Sequence, residues 1–277
     1  MGEFSIQQFE SDGHENGTRF WYAHEFMKSL GYDAWPTFQK VVTKAMGACA
    51  MLGIDPTEAF VPAAYLEDGK ECRTYKLSRF ACFLVSMYGD SKKPEVALAK
   101  ASLAAIADTL VEERIRESDL GRIETRDDLK TAERFLSGVA QSAGLESGHF
   151  GIFKDAGFRG MYNMSLAKLQ THKGVSKGQV LYDFMGLEEL AGNLFRVTQT
   201  AARINTTGVR GLPALQGTAT QVGREVRNIM TKNGGTPPER LAVAEDIRGV
   251  KKRLKSANRE MKKMDGKPKA KALPPSV

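Results

Sequence analysis

Side chains that could perform catalysis are few and widely separated in this 277-residue sequence. No two histidines are spaced as HxxxH or HExxH, and no cysteine joins them at a metal-ligand spacing. The chain also has no GxxxxGK[ST] phosphate loop, no GxGxxG turn and no GxSxG elbow. The histidines and cysteines are His14, His24, His149, His172, Cys49, Cys72 and Cys82. The sequence therefore predicts a protein that is not an enzyme and has no cofactor or metal site.

The cysteines and the hydropathy indicate the compartment. Three cysteines without CxxC spacing, and no signal-peptide pattern, are typical of a reducing environment. No apolar run approaches the roughly 20 residues that cross a bilayer. We therefore expect a soluble cytoplasmic protein with no membrane partner. Cys82 lies inside a predicted apolar helix and is expected to be a core residue.

Basic residues are concentrated near the C-terminal end. Residues 240–277 contain 12 lysines and arginines against 4 acidic residues, whereas residues 1–239 contain 28 against 29. Segments of this kind commonly bind polyanions, and the alternative is an exposed, solvated helix with a disordered tip. Its candidate nucleic-acid contacts are Lys251, Lys252, Arg253 and Lys255.

An apolar seam runs through the same basic segment. Its residues recur at spacings of three and four, as in a heptad repeat: Ile247, Val250, Leu254, Ala257, Met261 and Met264. Such a helix could pair with a second copy to give a homodimer, dock on the protein's own core, or lie on nucleic acid. Beyond Met264 we expect disorder.

A helix-turn-helix candidate occupies residues 24–45. Gly31 suits the end of the first helix and Pro36 suits the first turn of the second. The second helix would present a set of side chains to DNA, namely Trp35, Gln39, Lys40 and Lys44. Contacts to the DNA backbone are expected from Arg79, Lys92 and Lys93. The alternative is that Trp35 and Tyr32 fill the corner between the helices.

Further basic residues lie in the second half of the chain. The loop HKGVSKG contains Lys173 and Lys177. Its backbone amides and ammonium groups could converge on a phosphate, and the alternative is that the loop is a plain surface connection. Arg159 lies in FRGMY beside aromatic residues. Two pairs share helical faces, Arg196 with Arg203 and Arg224 with Arg227. Together these form the remainder of the predicted nucleic-acid site.

Periodicity predicts an α+β fold that is predominantly helical, with a small N-terminal antiparallel sheet. FSIQQFES and TRFWYA are predicted strands joined by a hairpin loop, RTYKL is a further strand, and AFVPAAYLEDGKE is less regular. Helices are predicted at 36–52, after Ser78, at about 94–117 and, after a break at Gly121, through much of the rest. The expected domains are residues 1–120, a helical C-terminal domain at 121–240, and a basic helix with a disordered tail at 241–277.

Several longer motifs resemble the DNA damage-inducible protein D (DinD) family. They are W-x-A-x-x-F-x-x-x-LGY at 21–32, YKLSRFACFLVSMYGDSKKPEVALAK, FGIFKDAGFRGMY, LYDFMGLEELAGNLFRVTQTAARI, VGREVRNIM and GGTPPERL. The N-terminal half is similar to the BRO family N-terminal domain of viral and phage proteins, and the lysine-rich end does not align. The resemblance implies a bacterial or phage protein of the SOS response that has a DNA-binding N-terminal module. It also implies an action on recombination at single-stranded DNA, through RecA filaments.

We therefore expect a DNA-binding modulator of recombination in the DNA-damage response, acting without catalysis at single-stranded DNA or RecA filaments. The alternative is an antirepressor-like or anti-filament interaction module that does not bind DNA directly. An atypical nuclease ranks last, because the sequence has no clustered acidic motif. Strand preference, sequence specificity and oligomeric state do not follow from the sequence.

Overall fold

The computed structural model describes residues 4–67, 69–111 and 116–266, and its fold is the predicted α+β fold, predominantly helical. The chain divides into two compact units, one formed by Met1–Glu117 with Lys251–Val277 and one by Ser118–Val250. Within the described ranges the α-helices are α1 Ile6–Ser11, α2 Ala23–Ser29, α3 Trp35–Leu52, α4 Pro56–Ala59, α5 Arg79–Tyr88, α6 Pro94–Val111, α7 Glu117–Ser142, α8 Phe150–Tyr162, α9 Leu166–His172, α10 Leu187–Thr207, α11 Leu212–Thr231 and α12 Ile247–Asp265. The strands are β1 His14–Glu15, β2 Arg19–Tyr22, β3 Phe60–Glu67 and β4 Lys70–Leu77.

An antiparallel sheet of order β1-β2-β4-β3 organises the first unit. Leu77 of β4 lies between Trp21 of β2 and Phe60 of β3, and all three side chains are buried. The predicted strands in TRFWYA and RTYKL are confirmed. Strand β3 lies in the passage that was expected to be less regular, because its mostly exposed residues lack the alternation that marks a half-buried strand.

The first predicted strand is wrong, since FSIQQFES contains helix α1. Ser5 caps this helix by accepting a hydrogen bond from the Gln8 backbone N–H at 3.2 Å. Phe9 is the buried residue of α1, and its ring stacks on Trp21 with 4.4 Å between centroids. Short amphipathic runs of this kind are ambiguous between helix and strand, and here packing against the Trp21 ring selects the helix.

The other helix signals in the first unit are confirmed. Helices α2 and α3 flank the turn at Gly31, which has φ of 68°, and Pro36 lies in the first turn of α3. Ser78 caps α5 by accepting from the Ala81 N–H at 3.1 Å. Helix α6 begins at Pro94 as expected, and residues 112–115 of the predicted helix lie outside the described residues.

Helix α7 opens the second unit and runs unbroken through Gly121, where a break was predicted. A glycine inside a helix costs about 1 kcal/mol relative to alanine. Here the small residue leaves room for Leu187, whose methyl carbon would lie 3.3 Å from a β-carbon at position 121. Arg122 also ties the helix down by donating to the backbone carbonyls of Met185 at 3.1 Å and Glu245 at 2.6 Å.

The core of the second unit depends on the close approach of α8 and α11. A β-carbon at Gly223 would lie 2.6 Å from the Gly157 carbonyl oxygen, and one at Gly160 would collide with the Thr220 carbonyl. The glycines of FGIFKDAGFRGMY therefore allow two helical backbones to touch, with Phe158 and Tyr162 buried beside them. A short 3-10 helix, Pro238–Arg240, precedes α12.

None of the helices in the described ranges has the length and apolar content that a membrane span requires. Disorder was predicted from Asp265 onward, and this is wrong for the first two residues, since α12 extends to Asp265 and Gly266 forms a β-bridge with Thr18. Residues 267–277 of the predicted tail lie outside the described residues.

Candidate nucleic-acid interface

The corner between α2 and α3 is fixed by Tyr32 and Lys93. Tyr32 is 5% exposed, and its hydroxyl accepts a hydrogen bond from the Asp90 N–H at 2.9 Å. The Lys93 ammonium donates to the Gly31 carbonyl at 2.6 Å and lies 5.1 Å from the centre of the Tyr32 ring. Lys93 was expected to contact the DNA backbone, and the structure instead shows its ammonium group holding the turn.

Helix α3 presents a polar face with three of the predicted contacts. Gln39, Lys40 and Lys44 are exposed, whereas Phe38 and Val42 on the opposite side are buried. Trp35 is half-buried, and the centre of its ring lies 6.1 Å from that of Phe38. Its side chain therefore packs partly into the corner between α2 and α3 and is partly open to solvent. The exposed side of α3 therefore carries two positive charges one helical turn apart.

Helix α12 is docked on the chain through its seam. Ile247, Val250, Leu254, Ala257 and Met261 are all at most 3% exposed, and only the last seam residue, Met264, is largely exposed at 48%. The seam is therefore covered within the same chain, which is the second of the three arrangements considered for this helix. Docking on the core leaves the opposite face of α12 to carry its charges.

Both ends of the α12 segment in the first unit are held by polar contacts. At one end the Lys251 ammonium lies 3.4 Å from the Met51 carbonyl oxygen, at the C-terminal end of α3, where a cation is favoured. At the other end Asp265 accepts from the Arg79 backbone N–H at 3.0 Å and from Arg79 Nε at 2.8 Å. The position of α12 on this unit is thus fixed independently of its seam.

Arg79 was expected to contact phosphate, and the structure corrects this expectation. Its side chain is 2% exposed, and Nη2 donates to a Glu10 carboxylate oxygen at 3.0 Å in addition to the Asp265 contacts. The guanidinium carbon lies 4.9 Å from the centre of the Trp21 ring. Burial raises the pKa of Asp265, although Arg79 opposes that rise. Arg79 therefore forms structural ion pairs with Glu10 and Asp265, and these pairs link α1, α5 and α12.

A row of exposed cations lies on α12 away from the seam, and we call it the basic stripe: Lys252, Lys255 and Arg259. Their spacing of three and four places them on one helical face over about 10 Å. In the part of the chain that the structure describes, none of the three has a carboxylate partner. Of the neighbouring cations, Lys262 pairs with Glu58 and Lys263 pairs with Glu260. The remaining predicted residue of this segment, Arg253, is half-buried.

Two predicted phosphate contacts in the second unit are buried, so neither belongs to an exposed nucleic-acid surface. Lys173 donates to a Glu189 carboxylate oxygen at 3.0 Å and to the Leu241 carbonyl at 2.9 Å, and both charged side chains are 1% exposed. Arg196 is 3% exposed and donates to Asn193 and Tyr182. Of the two lysines in the HKGVSKG loop, only Lys177 is therefore exposed to solvent.

Other predicted cations of the second unit are paired at the surface. Arg159 bonds Asp155 at 2.6 Å, Arg203 bonds Glu225 at 2.6 Å, and Arg227 bonds Glu239 and the Met161 carbonyl. Hydrogen bonds from these arginines lower the pKa of Glu225 and of Glu239. Three further predicted contacts are exposed and have no carboxylate partner among the described residues: Lys177 and Arg224 in this unit, and Lys92 in the first unit.

Comparison with known proteins identifies similar sequences. A family model described as the DinD C-terminal domain matches residues 115–250. DNA damage-inducible protein D of Escherichia coli (strain K12) is 34% identical over 239 residues, which cover 82% of this chain and 87% of that protein. The chain belongs to the DNA damage-inducible protein D family. The DinD C-terminal match nearly coincides with the second unit, and the likeness of the first half to the BRO N-terminal domain stays a prediction.

In this member of the DinD family, sequence reasoning missed Arg259 as a member of the candidate interface. The signal was present, because Arg259 lies seven residues after Lys252 and so shares its phase against the apolar seam. The structural role of Asp265 carried no such signal, since its partner Arg79 is far away in sequence. No group of three or more histidine, cysteine or acidic side chains that could hold a metal ion occurs among the described residues.

Proposed function

We propose that this protein binds DNA and modulates recombination in the DNA-damage response, at single-stranded DNA or on RecA filaments, without catalysing a reaction. Membership of the DinD family and the name of the Escherichia coli relative support the link to DNA damage. The single observation that carries DNA binding is the basic stripe. Three neighbouring cations without a carboxylate partner among the described residues lie on a helix whose other face is docked.

The stripe suits a phosphate backbone because its cations are not paired with carboxylates and lie on a fixed helix. A lysine or arginine that already pairs with a carboxylate gains little from a phosphate. An unpaired one can neutralise a phosphate and release the counterions that are condensed on the nucleic acid. The anchoring of α12 by Asp265 and Lys251 means that no helix has to order on binding. A preformed row of cations therefore binds without that entropic cost.

Helix α3 provides the second part of the proposed surface. It adjoins the α12 segment of the same unit at the Met51 carbonyl, and its Gln39, Lys40 and Lys44 point to solvent. Cations contact phosphates, while an amide such as that of Gln39 can also bond a base edge. We assign phosphate contact to the stripe and any base contact to α3.

A salt titration of DNA affinity tests this proposal. Binding of fluorescein-labelled single-stranded and duplex oligonucleotides is followed by anisotropy from low to moderate salt. We compare the wild type with the triple variant Lys252→Gln, Lys255→Gln and Arg259→Gln. Losing three phosphate contacts should reduce the slope of log affinity against log salt by about 2 for single strands.

The matched control neutralises Lys168, Arg210 and Lys232, two lysines and one arginine that are exposed in the second unit. It changes the net charge by the same amount and should leave most of the slope in place. Equal slopes for the wild type and the stripe variant would remove the stripe from the interface.

RecA-coated DNA separates the proposal from its rival. Direct DNA binding predicts measurable affinity for the bare strand at low salt, and loss of that affinity in the stripe variant. A protein that ignores bare DNA at low salt but binds the RecA-coated strand would instead be an interaction module. Measured at one stated ionic strength, the three substrates distinguish these cases.

A further inference from the structure

A pocket of about 260 Å³ lies within the second unit, outside the proposed DNA-binding surface. Its walls come from α7, α8 and α10, with one residue from α11. A concavity of this size suits one small ligand, not a peptide or a helix. Nothing in the proposed action on DNA uses it.

The side chains around this pocket carry an excess of positive charge. Lys130, Arg134, Lys154 and Arg196 line it, against the single carboxylate of Glu133. Glu133 is already bonded to the Lys154 ammonium at 2.8 Å and accepts from the Tyr182 hydroxyl at 3.0 Å. Lys130 and Arg134 are exposed and have no carboxylate partner within the described residues. The side chains that line the pocket therefore carry a net charge of about +3.

Among these cations, Arg196 is the one whose buried charge would gain most from a bound anion. It is 3% exposed, and its Nε and Nη2 donate to the uncharged partners Asn193, at 3.3 and 3.0 Å, and Tyr182, at 3.3 Å. Among residues 4–67, 69–111 and 116–266, no acceptor bonds its Nη1 and no carboxylate pairs with the guanidinium. A buried charge without a counterion is costly, so a bound anion would relieve it.

The local packing keeps Arg196 in this place. Its guanidinium carbon lies 4.9 Å from the centre of the Phe158 ring. A β-carbon at Gly157 would collide with Nη1, so the glycine leaves the space that the guanidinium fills. The charge is thus fixed beside the pocket and does not have to move to meet a ligand.

Aromatic rings form another part of the wall. Phe150 and Phe153 lie one turn apart on α8, and both line the pocket with the cations. Rings bind flat apolar groups by stacking, and cations bind phosphates, so the two kinds of wall select different parts of one ligand. A nucleotide has both parts.

We propose that this pocket binds a small organic phosphate attached to an aromatic ring, with the chemistry of a nucleoside monophosphate. The phosphate meets Arg196, Lys130 and Arg134, and the ring lies against Phe150 and Phe153. The nucleotide can be free or part of a strand. The proposal stands apart from the basic stripe, because its residues belong to the second unit alone.

Isothermal titration of the full chain with dAMP tests the pocket. Deoxyadenosine and inorganic phosphate are titrated separately, and each should bind at least tenfold more weakly than dAMP, because each fills half of the pocket. The double variant Lys130→Gln and Arg134→Gln should weaken dAMP binding by about tenfold. Ser137→Trp, which fills the pocket from α7, should abolish it.

The control is the double variant Lys168→Gln and Arg210→Gln, with the same charge change at exposed sites away from the pocket. It should bind dAMP like the wild type. Absence of dAMP binding at millimolar concentration would overturn the proposal, as would equal weakening in the two double variants. Inorganic phosphate binding as tightly as dAMP would overturn the role of the rings.

Competition with an oligonucleotide identifies the source of the nucleotide. Displacement of dAMP by a short single strand points to a nucleotide within DNA, and absence of displacement points to a free nucleotide; both support the pocket. The triple stripe variant should bind dAMP normally, so failure of the DNA proposal and failure of the pocket proposal are distinguishable.

Discussion

At the scale of single residues, Lys173 and Glu189 show what burial does to a charged pair. Both side chains are 1% exposed, and Glu189 also accepts a hydrogen bond from the Tyr162 hydroxyl at 2.9 Å. Burial raises the pKa of Glu189, with Lys173 opposing the rise. A pair of this kind contributes little net stability while intact, but each member depends on the other.

Lys173→Met should therefore destabilise the second unit by about 3–5 kcal/mol, because Glu189 is left as a buried charge without a cation. The double variant Lys173→Met and Glu189→Gln should recover much of this loss. Urea unfolding followed by circular dichroism measures both. Lys177→Met, an exposed lysine of the same loop, is the control and should change stability little. A deficit of less than 1 kcal/mol in Lys173→Met would contradict the structural role.

The cysteines give a second prediction, about reactivity. Burial raises the pKa of Cys49 to about 12 and that of Cys82 well above its ordinary value, whereas Cys72 is only half-buried. Because the thiolate is the reactive form, a thiol reagent at about pH 8 should label Cys72 and spare the other two. Labelling counted by mass spectrometry should give one adduct in the native protein and three in denaturant. Native labelling of Cys82 would show that α5 is not packed as described.

Burial of Arg79, Lys173 and Arg196 was not predictable from the sequence. Lysine and arginine are almost never fully buried unless paired, so the default expectation for each was a surface position. What decides their placement is a partner distant in the chain, Asp265 for Arg79 and Glu189 for Lys173. The exposed cations of α12 were predictable, because the phase of the apolar seam separates the two faces of one helix.

At the scale of elements, the short helix Pro238–Arg240 is tied to its neighbours by Arg227 of α11. Arg227 bonds Glu239 of that helix and also donates to the Met161 carbonyl of α8 at 2.9 Å. The side chains of Arg227 and Glu239 are each 17% exposed, so solvent screens their attraction only in part. This contact joins three elements that are not consecutive in the chain.

Glu239→Gln should show a stability loss that depends on pH. The Arg227 hydrogen bond lowers the pKa of Glu239, so the carboxylate stabilises the fold above its unfolded pKa, and this stability is lost as pH falls through the folded pKa. At about pH 7 the variant should be less stable by about 0.5–1 kcal/mol, and at about pH 3 the difference should be smaller. Urea unfolding at the two pH values measures this. Asp128→Asn, an exposed carboxylate of α7, is the control, and an equal deficit at both pH values would contradict the pair.

Most elements followed from local signals, and the errors have physical reasons. The Ser78 cap fixes the start of α5, and Pro36 in the first turn with the positive φ at Gly31 fixes the start of α3. Helix α1 and the unbroken α7 depend instead on tertiary contacts, with Trp21 in one case and Leu187 in the other. Local propensity cannot report a packing partner that lies far along the chain.

At the scale of the whole molecule, the first unit is built from both ends of the chain. Met1–Glu117 and Lys251–Val277 form one compact unit, and the second unit is the stretch between them. Residues 1–117 contain 13 lysines and arginines against 17 acidic residues, whereas residues 251–277 contain 10 against 2. The C-terminal segment therefore provides the positive balance of the first unit as well as a helix of its core.

Deleting the residues after Asp246 should consequently unfold or loosen the first unit and not merely weaken DNA binding. The deletion removes Leu254, Ala257 and Met261 from the core and takes Asp265 away from the buried Arg79, which keeps Glu10 as a carboxylate partner. Both tryptophans, Trp21 and Trp35, belong to this unit, so their fluorescence reports on it selectively. Emission should shift to the red as Trp21, now 2% exposed, becomes hydrated. A synthetic peptide of residues 247–266 should shift it back.

The full-length triple variant Lys252→Gln, Lys255→Gln and Arg259→Gln separates charge from docking. It removes the stripe but keeps the buried seam and Asp265, so its emission and its thermal midpoint should match those of the wild type. Loss of DNA affinity in both proteins, with unfolding only in the deletion, is the expected pattern. A helix that completes a core cannot be removed without exposing that core to water. If the deletion variant kept the emission maximum and the thermal midpoint of the wild type, α12 would not be part of the core of the first unit.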